Sequence, residues 1–225
     1  MLTQSLRTVT NLFLAQSCPL CERSTAQTLC ASCWQQLENC QWAHPAQTTS
    51  PKGLPTLAWG HYQGELKRAI TTMKYNQCPD LARPLGQALG GCWQHRQAAR
   101  RPPLVVPIPM HAHKQRQRGF NQAALIAEAF CARTGLPLAK AGLLRTKATT
   151  PQFGLGLAER QHNLSGAFAL GPYFQRQRPT RPVLLLDDIY TTGTTMQMAA
   201  LALRRSGVSV CGAVVVARAT LETPN

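Results

Sequence analysis

Val183-Leu184-Leu185-Leu186-Asp187-Asp188-Ile189-Tyr190-Thr191-Thr192-Gly193-Thr194-Thr195 is the stretch from which the fold can be read. Four consecutive apolar residues, too few for a helix and bounded by Pro182 and an acidic pair, describe a buried strand of a parallel sheet. Thr191 to Thr195 then make a turn of small hydroxyl residues around Gly193. Good helix formers follow from Met196 to Leu203, and the helix ends on Arg204, Arg205 and Gly207. A strand, loop and helix in this order gather free backbone N–H groups and the positive end of a helix dipole at one point, which suits a phosphate. Gly193 lets the backbone approach such a ligand, and the threonine hydroxyls add donors. The acidic pair at the strand's carboxyl end suits the hydroxyls of a sugar carried on that phosphate and helps hold the Mg2+ that a polyphosphate needs. Asp187 and Asp188 are two of only three aspartates in the chain. An ordinary strand-to-helix turn with Asp and Thr as caps would need one such residue and not the whole ordered set.

Working outward, 225 residues suffice for one α/β core plus a small appendage. Net charge is +15 and 18 of the 24 basic residues are arginine, an excess that favours polyanions: nucleic acid, a highly phosphorylated metabolite or an anionic membrane surface. A solvated basic face is the alternative reading of charge alone. No segment has the run of apolar residues a membrane span requires, and no signal peptide is recognisable near the N-terminus, so the expected location is cytoplasmic with no membrane insertion.

Residues 3 to 16 have the spacing of a short amphipathic helix. Two Cys-x-x-Cys pairs follow, Cys18 with Cys21 and Cys30 with Cys33. Two such knuckles close together suit a tetrahedral Zn2+, each turn presenting two thiolates at about 2.3 Å. Closed on all four sides by sulfur, the site is structural and supports folding. Two disulfides, four metal-free thiols, or iron in place of zinc are the alternatives. Cys78, Cys92, Cys131 and Cys211 are expected to be small core filler. The division that results is 1–45 for the N-terminal helix and zinc module, 46–55 for a Pro-, Thr- and Ser-rich linker, and 56–225 for the main domain. Strands are expected near 56–62, 104–109, 183–188 and 208–217, and helices over 64–74, 80–98 and 121–133. After the strand at 104–109, His111, His113, Lys114, Arg116 and Arg118 form an extended, cationic anion-binding segment. Residues 143 to 168 are a glycine-interrupted stretch carrying Arg145, Lys147, Gln152, Arg160, His162 and Asn163. Trp34, Trp42 and Trp59 are candidate stacking platforms for bases.

The hydrophobic strand, Asp187-Asp188 and Thr191-Thr192-Gly193-Thr194-Thr195 resemble the signature of type I phosphoribosyltransferases, which bind 5-phosphoribosyl 1-pyrophosphate (PRPP). That resemblance implies an α/β fold, a parallel sheet flanked by helices. It implies that Asp187 and Asp188 hold the ribose hydroxyls, that Thr191, Thr192, Gly193, Thr194 and Thr195 hold the 5'-phosphate, and that Mg2+ accompanies PRPP. It implies a lid over residues 143 to 168 that closes on the substrate and excludes water. Arg118, and Lys147 and Arg160 of that lid, are then the catalytic candidates, neutralising departing pyrophosphate. The narrower pattern of Tyr62, Gly64, Leu66, Lys67 and Lys74, Pro107-Ile108-Pro109, Arg118-Gly119-Phe120-Asn121-Gln122-Ala123, Gln152 to Arg160, Asn163, Gly166-Ala167-Phe168 and the Asp-Asp loop, behind a four-cysteine zinc-ribbon-like module, resembles the ComF family from about Cys18 to Ala217. This implies a competence protein for DNA uptake in natural transformation. Its expected partners are PRPP, single-stranded DNA, and other DNA-uptake or recombination proteins. Active transfer of a phosphoribosyl group to an unidentified acceptor is the alternative. One departure bears on it: purine-salvage transferases place an acid where Thr191 stands, and threonine cannot take a proton from a base at neutral pH.

Overall fold

Alternation along four parallel strands builds the molecule. In the computed structural model, which describes residues 16–49, 54–95, 101–146 and 166–219, the chain runs through β1 (Gln16–Ser17), β2 (Ser24–Thr25), α1 (Ala31–Glu38), β3 (Gln41–Thr49), β4 (Pro55–His61), α2 (Gly64–Tyr75), α3 (Ala82–Gln94) and β5 (Leu104–Pro107). It continues through α4 (Ala112–Arg118), α5 (Gln122–Thr134), β6 (Leu143–Arg145), β7 (Phe168–Leu170), α6 (Pro172–Arg176), β8 (Val183–Tyr190), α7 (Thr194–Arg205) and β9 (Val210–Arg218). The main sheet has the order β3-β4-β9-β8-β5, with β4, β9, β8 and β5 mutually parallel and β3 antiparallel on one edge. Successive side chains of each strand enter opposite layers. Leu184 and Leu186 of β8, Val214 and Val216 of β9, Leu57 and Trp59 of β4 and Val105 of β5 face α2, α3 and α5. Val183 and Leu185, Ala213 and Val215, Ala58, and Leu104 and Val106 face α7 and Phe174. With both faces covered, β8 and β9 read as near-continuous apolar runs, as expected for strands inside a parallel sheet.

The expected α/β class, a parallel sheet flanked by helices with a small four-cysteine module in front, is the architecture found. Three local readings differ from it. Gln41–Thr49 is a strand paired to β4 through Ala46↔Ala58 to Thr49↔Pro55, although its polar, proline-containing sequence reads as linker. The segment after β5 is not extended: Ala112–Arg118 is a short helix, because His111 at its N-cap accepts from the His113 amide and Gly119, at φ +83°, ends it. The third is the Pro- and Arg-rich stretch from Gly171 to Pro182, whose sequence reads as a link leading to the central strand but which holds a helix of one turn, Pro172–Arg176.

Several expectations lie outside the described residues: the helix over 3–16, most of the lid with Lys147 and Arg160, and the last turn expected for the helix over 80–98. No helix among the described residues is long and apolar enough to cross a membrane.

Candidate functional site

The parallel strands all end on one side of the sheet, and the carboxyl end of β8 carries the acidic pair there. The Asp187 side chain accepts from the Asp188 amide and Asp188 accepts from the Ile189 amide, each at 2.9 Å. Asp188 is buried and ion-paired to Lys74 of α2, Nζ to Oδ2, at 2.5 Å. Breaking a buried pair from one side costs roughly 3–5 kcal/mol, so Lys74 and Asp188 are structural as well as polar. Burial works to depress the Lys74 ammonium, but Asp188, with Asp187 behind it, outweighs burial and raises it above its ordinary value. Asp187 is half-buried. Burial, reinforced by the Asp188 charge, pushes its carboxyl well above the usual carboxylate range.

Beyond the acids, Gly193 sits in the left-handed region at φ +75° as the N-cap of α7. Thr191 is exposed, Thr192 and Thr195 half-buried, and Thr194 buried, with the Thr192 and Thr194 hydroxyls 2.9 Å apart. The Tyr190 ring packs over Gly193 so closely that a Cβ there would fall 2.2 Å from its hydroxyl oxygen. The result is a tight loop at the N-terminus of α7, a place where free backbone amides and the helix dipole suit a phosphate.

The third part is cationic. Lys114 and Arg118 come from α4 and Arg145 from β6. Burial depresses the Lys114 ammonium, and the neighbouring charges of Arg145 and Arg118 depress it further. Burial also lowers the Arg145 guanidinium, while the charge of Asp187 acts the other way. Arg118 donates to Gln122 Oε1 at 2.7 Å, and its guanidinium lies 5.6 Å from the centre of the Tyr75 ring. Three cations are thereby held near one another, with Arg145 also within the field of Asp187, an arrangement that favours an anion. Sequence reasoning selected Arg118 and placed Lys114 in the same anion-binding segment, but gave no individual role to Lys74 or Arg145. Only the placement of Lys74 on α2 and Arg145 on β6, far from Asp187 and Asp188 in the chain, brings them to the acids.

Apart from this, Cys18, Cys21, Cys30 and Cys33 bring their sulfurs within 4.8 Å of one another. Cys21 Sγ and Cys30 Sγ are 3.5 Å apart, too far for a disulfide and near the ~3.8 Å edge of a tetrahedron with ~2.3 Å metal–sulfur bonds. Burial opposes ionisation of Cys18, but the amides of Cys30, Leu20 and Cys21 pull its thiol down to about 6. The amide of Cys33 similarly lowers Cys30. Four converging sulfurs, with backbone amides aimed at those of Cys18 and Cys30, fit Zn2+. The module is tied to the main domain by Arg68 of α2, which donates to the Leu20 carbonyl. Among the tryptophans, Trp59 is core, Trp42 is stacked on His61 at 3.4 Å, and Trp34 donates to Glu38. Trp59 is therefore no stacking platform.

No protein-family model matches the chain. It is 33% identical over 153 residues to competence protein F of Haemophilus influenzae, a match that spans 66% of each protein. The chain belongs to the ComF family. This ComF chain is also 28% identical over 203 residues to the DNA utilization protein YhgH of Escherichia coli K12, spanning 85% of this chain and 86% of that one. The competence protein ComFC of Bacillus subtilis is 28% identical over 107 residues, 46% of this chain and 39% of that one. Among solved structures, the ComF chain is similar to a glutamine PRPP amidotransferase from B. subtilis, at 18% identity and a TM-score of 0.36 over 60% of this chain and 25% of that one. It is similar too to adenine phosphoribosyltransferase of Trypanosoma brucei, at 11% identity and a TM-score of 0.39 over 83% and 79%.

Proposed function

We propose that this ComF protein acts in DNA uptake during natural transformation, in the cytoplasm, and that the end of β8 binds Mg-PRPP. The observation that carries this reading is the acidic pair of Asp187 and Asp188 running directly into the Gly193 loop and α7, with Lys114, Arg118 and Arg145 gathered beside them. In this reading Asp187 accepts from the ribose hydroxyls, and Lys74 holds Asp188 in place for the same task. The amides and hydroxyls of Thr191 to Thr195 receive the 5'-phosphate. Lys114, Arg118 and Arg145 take the pyrophosphate, joined by Lys147 and Arg160 from the lid. Mg2+ held by the acids and the diphosphate would offset negative charge that the protein does not reach. The four-cysteine module holds a structural Zn2+, and the arginine-rich surface binds single-stranded DNA through phosphate contacts.

Thermal unfolding tests the pocket. A ligand at a hundred times its Kd stabilises the folded state by about 2.7 kcal/mol, a rise of roughly 5–10 °C for a chain of this size. Mg-PRPP should produce such a rise in the wild type and at most about half of it in Asp187→Asn. Equal rises in both would show that the ligand binds elsewhere.

Transfer of the phosphoribosyl group is a second reading, favoured by the cations beside Asp187, which suit a departing pyrophosphate. A nucleophile would form a bond to C1 as the bond to pyrophosphate breaks, and would lose its own proton. Thr191, exposed and non-acidic, does not serve as that base. Pyrophosphate release that depends on an added acceptor would establish turnover.

A further inference from the structure

At the opposite end of the sheet from the acidic pair lies a groove of about 490 Å³, lined by Leu104, Tyr173, Arg176, Arg178 and Arg181 among others. Leu104 opens β5 and Arg181 lies two residues before β8, whose first residue is four positions from Asp187. At about 3.3 Å per residue, that places the groove on the order of 13 Å or more from the acids. Arg176, Arg178 and Arg181 are exposed, no carboxylate lines the groove, and none of the ion pairs among the described residues involves them. From Gly166 to Leu186 the sequence contains no acidic residue at all.

The aromatic member of the groove is fixed. Tyr173 is 51% exposed, yet its neighbour Phe174 is fully buried, with the two rings edge to face at 5.6 Å. Phe174 fits because Gly142 has no side chain: a Cβ there would come within 2.9 Å of the Phe174 ring. Gly171, where a Cβ would fall 2.0 Å from the Ala141 carbonyl oxygen, allows α6 to press against the 139–142 turn. The Tyr173 amide donates to that same carbonyl. A half-exposed ring is thus held on a rigid turn beside three unneutralised guanidinium groups. Past Pro182 the surface continues into a second cleft of about 430 Å³ that carries Arg101.

We propose that this groove is the single-stranded DNA site: Arg176, Arg178 and Arg181 contact successive phosphates while a base stacks on Tyr173. The inference deepens the DNA-binding reading given above and rests on it. Duplex DNA offers the arginines the same phosphates, but its base faces are already stacked. Only an unpaired strand uses Tyr173. Because the groove and the Mg-PRPP site lie at opposite ends of the sheet, each should bind without the other.

Fluorescence anisotropy with labelled dT20 and the full-length chain, over a series of salt concentrations, tests this. Each lost phosphate contact on a single strand removes about 0.7 from the slope of log affinity against log salt. The triple variant Arg176→Gln, Arg178→Gln, Arg181→Gln should therefore bind at least tenfold more weakly, with the slope reduced by about 2. Tyr173→Leu should weaken binding about five- to a hundredfold with the slope unchanged. Both variants should keep the wild-type melting temperature and Mg-PRPP affinity. Wild-type affinity and slope in the arginine variant would overturn the groove while leaving DNA binding intact elsewhere. Loss in the arginine variant with no effect in Tyr173→Leu, or equal binding of a 20-base-pair duplex, would overturn the single-strand assignment in favour of a general polyanion surface. Absence of dT20 binding by the wild type at low salt would overturn both this proposal and the DNA-binding reading, without touching the Mg-PRPP site.

Discussion

A Cβ built on Gly193 falls 2.2 Å from the Tyr190 hydroxyl and 2.5 Å from the ring carbon that bears it, while the backbone stands at φ +75°. The ring is 6% exposed and has little room to retreat. Gly193→Ala should cost about 1–2 kcal/mol from the left-handed backbone alone, with further loss from the overlap, read by denaturant unfolding. Its Mg-PRPP affinity should fall at least tenfold, because the amides of the loop move with the ring. Asp187 makes the opposite trade. Its folded-state carboxyl is raised, so its contribution favours the native state below the unfolded pKa and is lost as pH rises through the folded one. At neutral pH the charge is a burden on the fold, and Asp187→Asn should be more stable than the wild type there. The difference should shrink to nothing as pH falls below about 4, where the unfolded aspartate is also protonated. A variant less stable than wild type at pH 7 would show that the carboxylate is well paired in the free protein. These effects were partly legible in the sequence. The positions of Gly193 and Asp187 in an ordered motif could be read, but the Tyr190 ring over Gly193 and the Lys74–Asp188 ion pair depend on how strand, loop and α2 meet.

At the scale of elements, the central strands were the easiest to read, since a strand buried on both faces announces itself as an unbroken apolar run. The edge strand β3 was not. It pairs with β4 alone, and Pro45 falls where the register slips between Gln41 and Ala46. Edge strands tolerate polar residues and proline, so their sequences pass for linkers. The helix α4 escaped for a different reason: its start depends on a histidine cap, which composition does not single out. The cysteine pairs were legible because two knuckles at fixed spacing have few other uses, and the structure converges all four sulfurs. The purified protein should carry one Zn2+ per chain by elemental analysis, and Cys18→Ser or Cys30→Ser should carry almost none and melt at lower temperature. A metal-free wild type with no thiol accessible to modification would contradict the zinc site.

For the whole molecule, the net charge of +15 is not spread as uniform solubilising surface. One set of cations has Lys74 and Arg145 at the two aspartates, at the carboxyl end of the sheet, with Lys114 and Arg118 beside Arg145. Another, Arg176, Arg178 and Arg181, surrounds Tyr173 at the amino end. The first set accompanies acids and a glycine loop, as a Mg-bound sugar phosphate requires; the second has no acid near it, as an extended polyanion requires. The most direct test of the first is calorimetric titration of Mg-PRPP into the wild type, into Asp187→Asn, which leaves the Lys74–Asp188 pair intact, and into the Asp187→Ala, Asp188→Ala double variant. Saturable binding at one site per chain in the wild type, reduced at least tenfold in Asp187→Asn and lost in the double variant, is the expected result. No heat of binding in the wild type, or equal affinity in wild type and Asp187→Asn, would contradict a PRPP site at the end of β8.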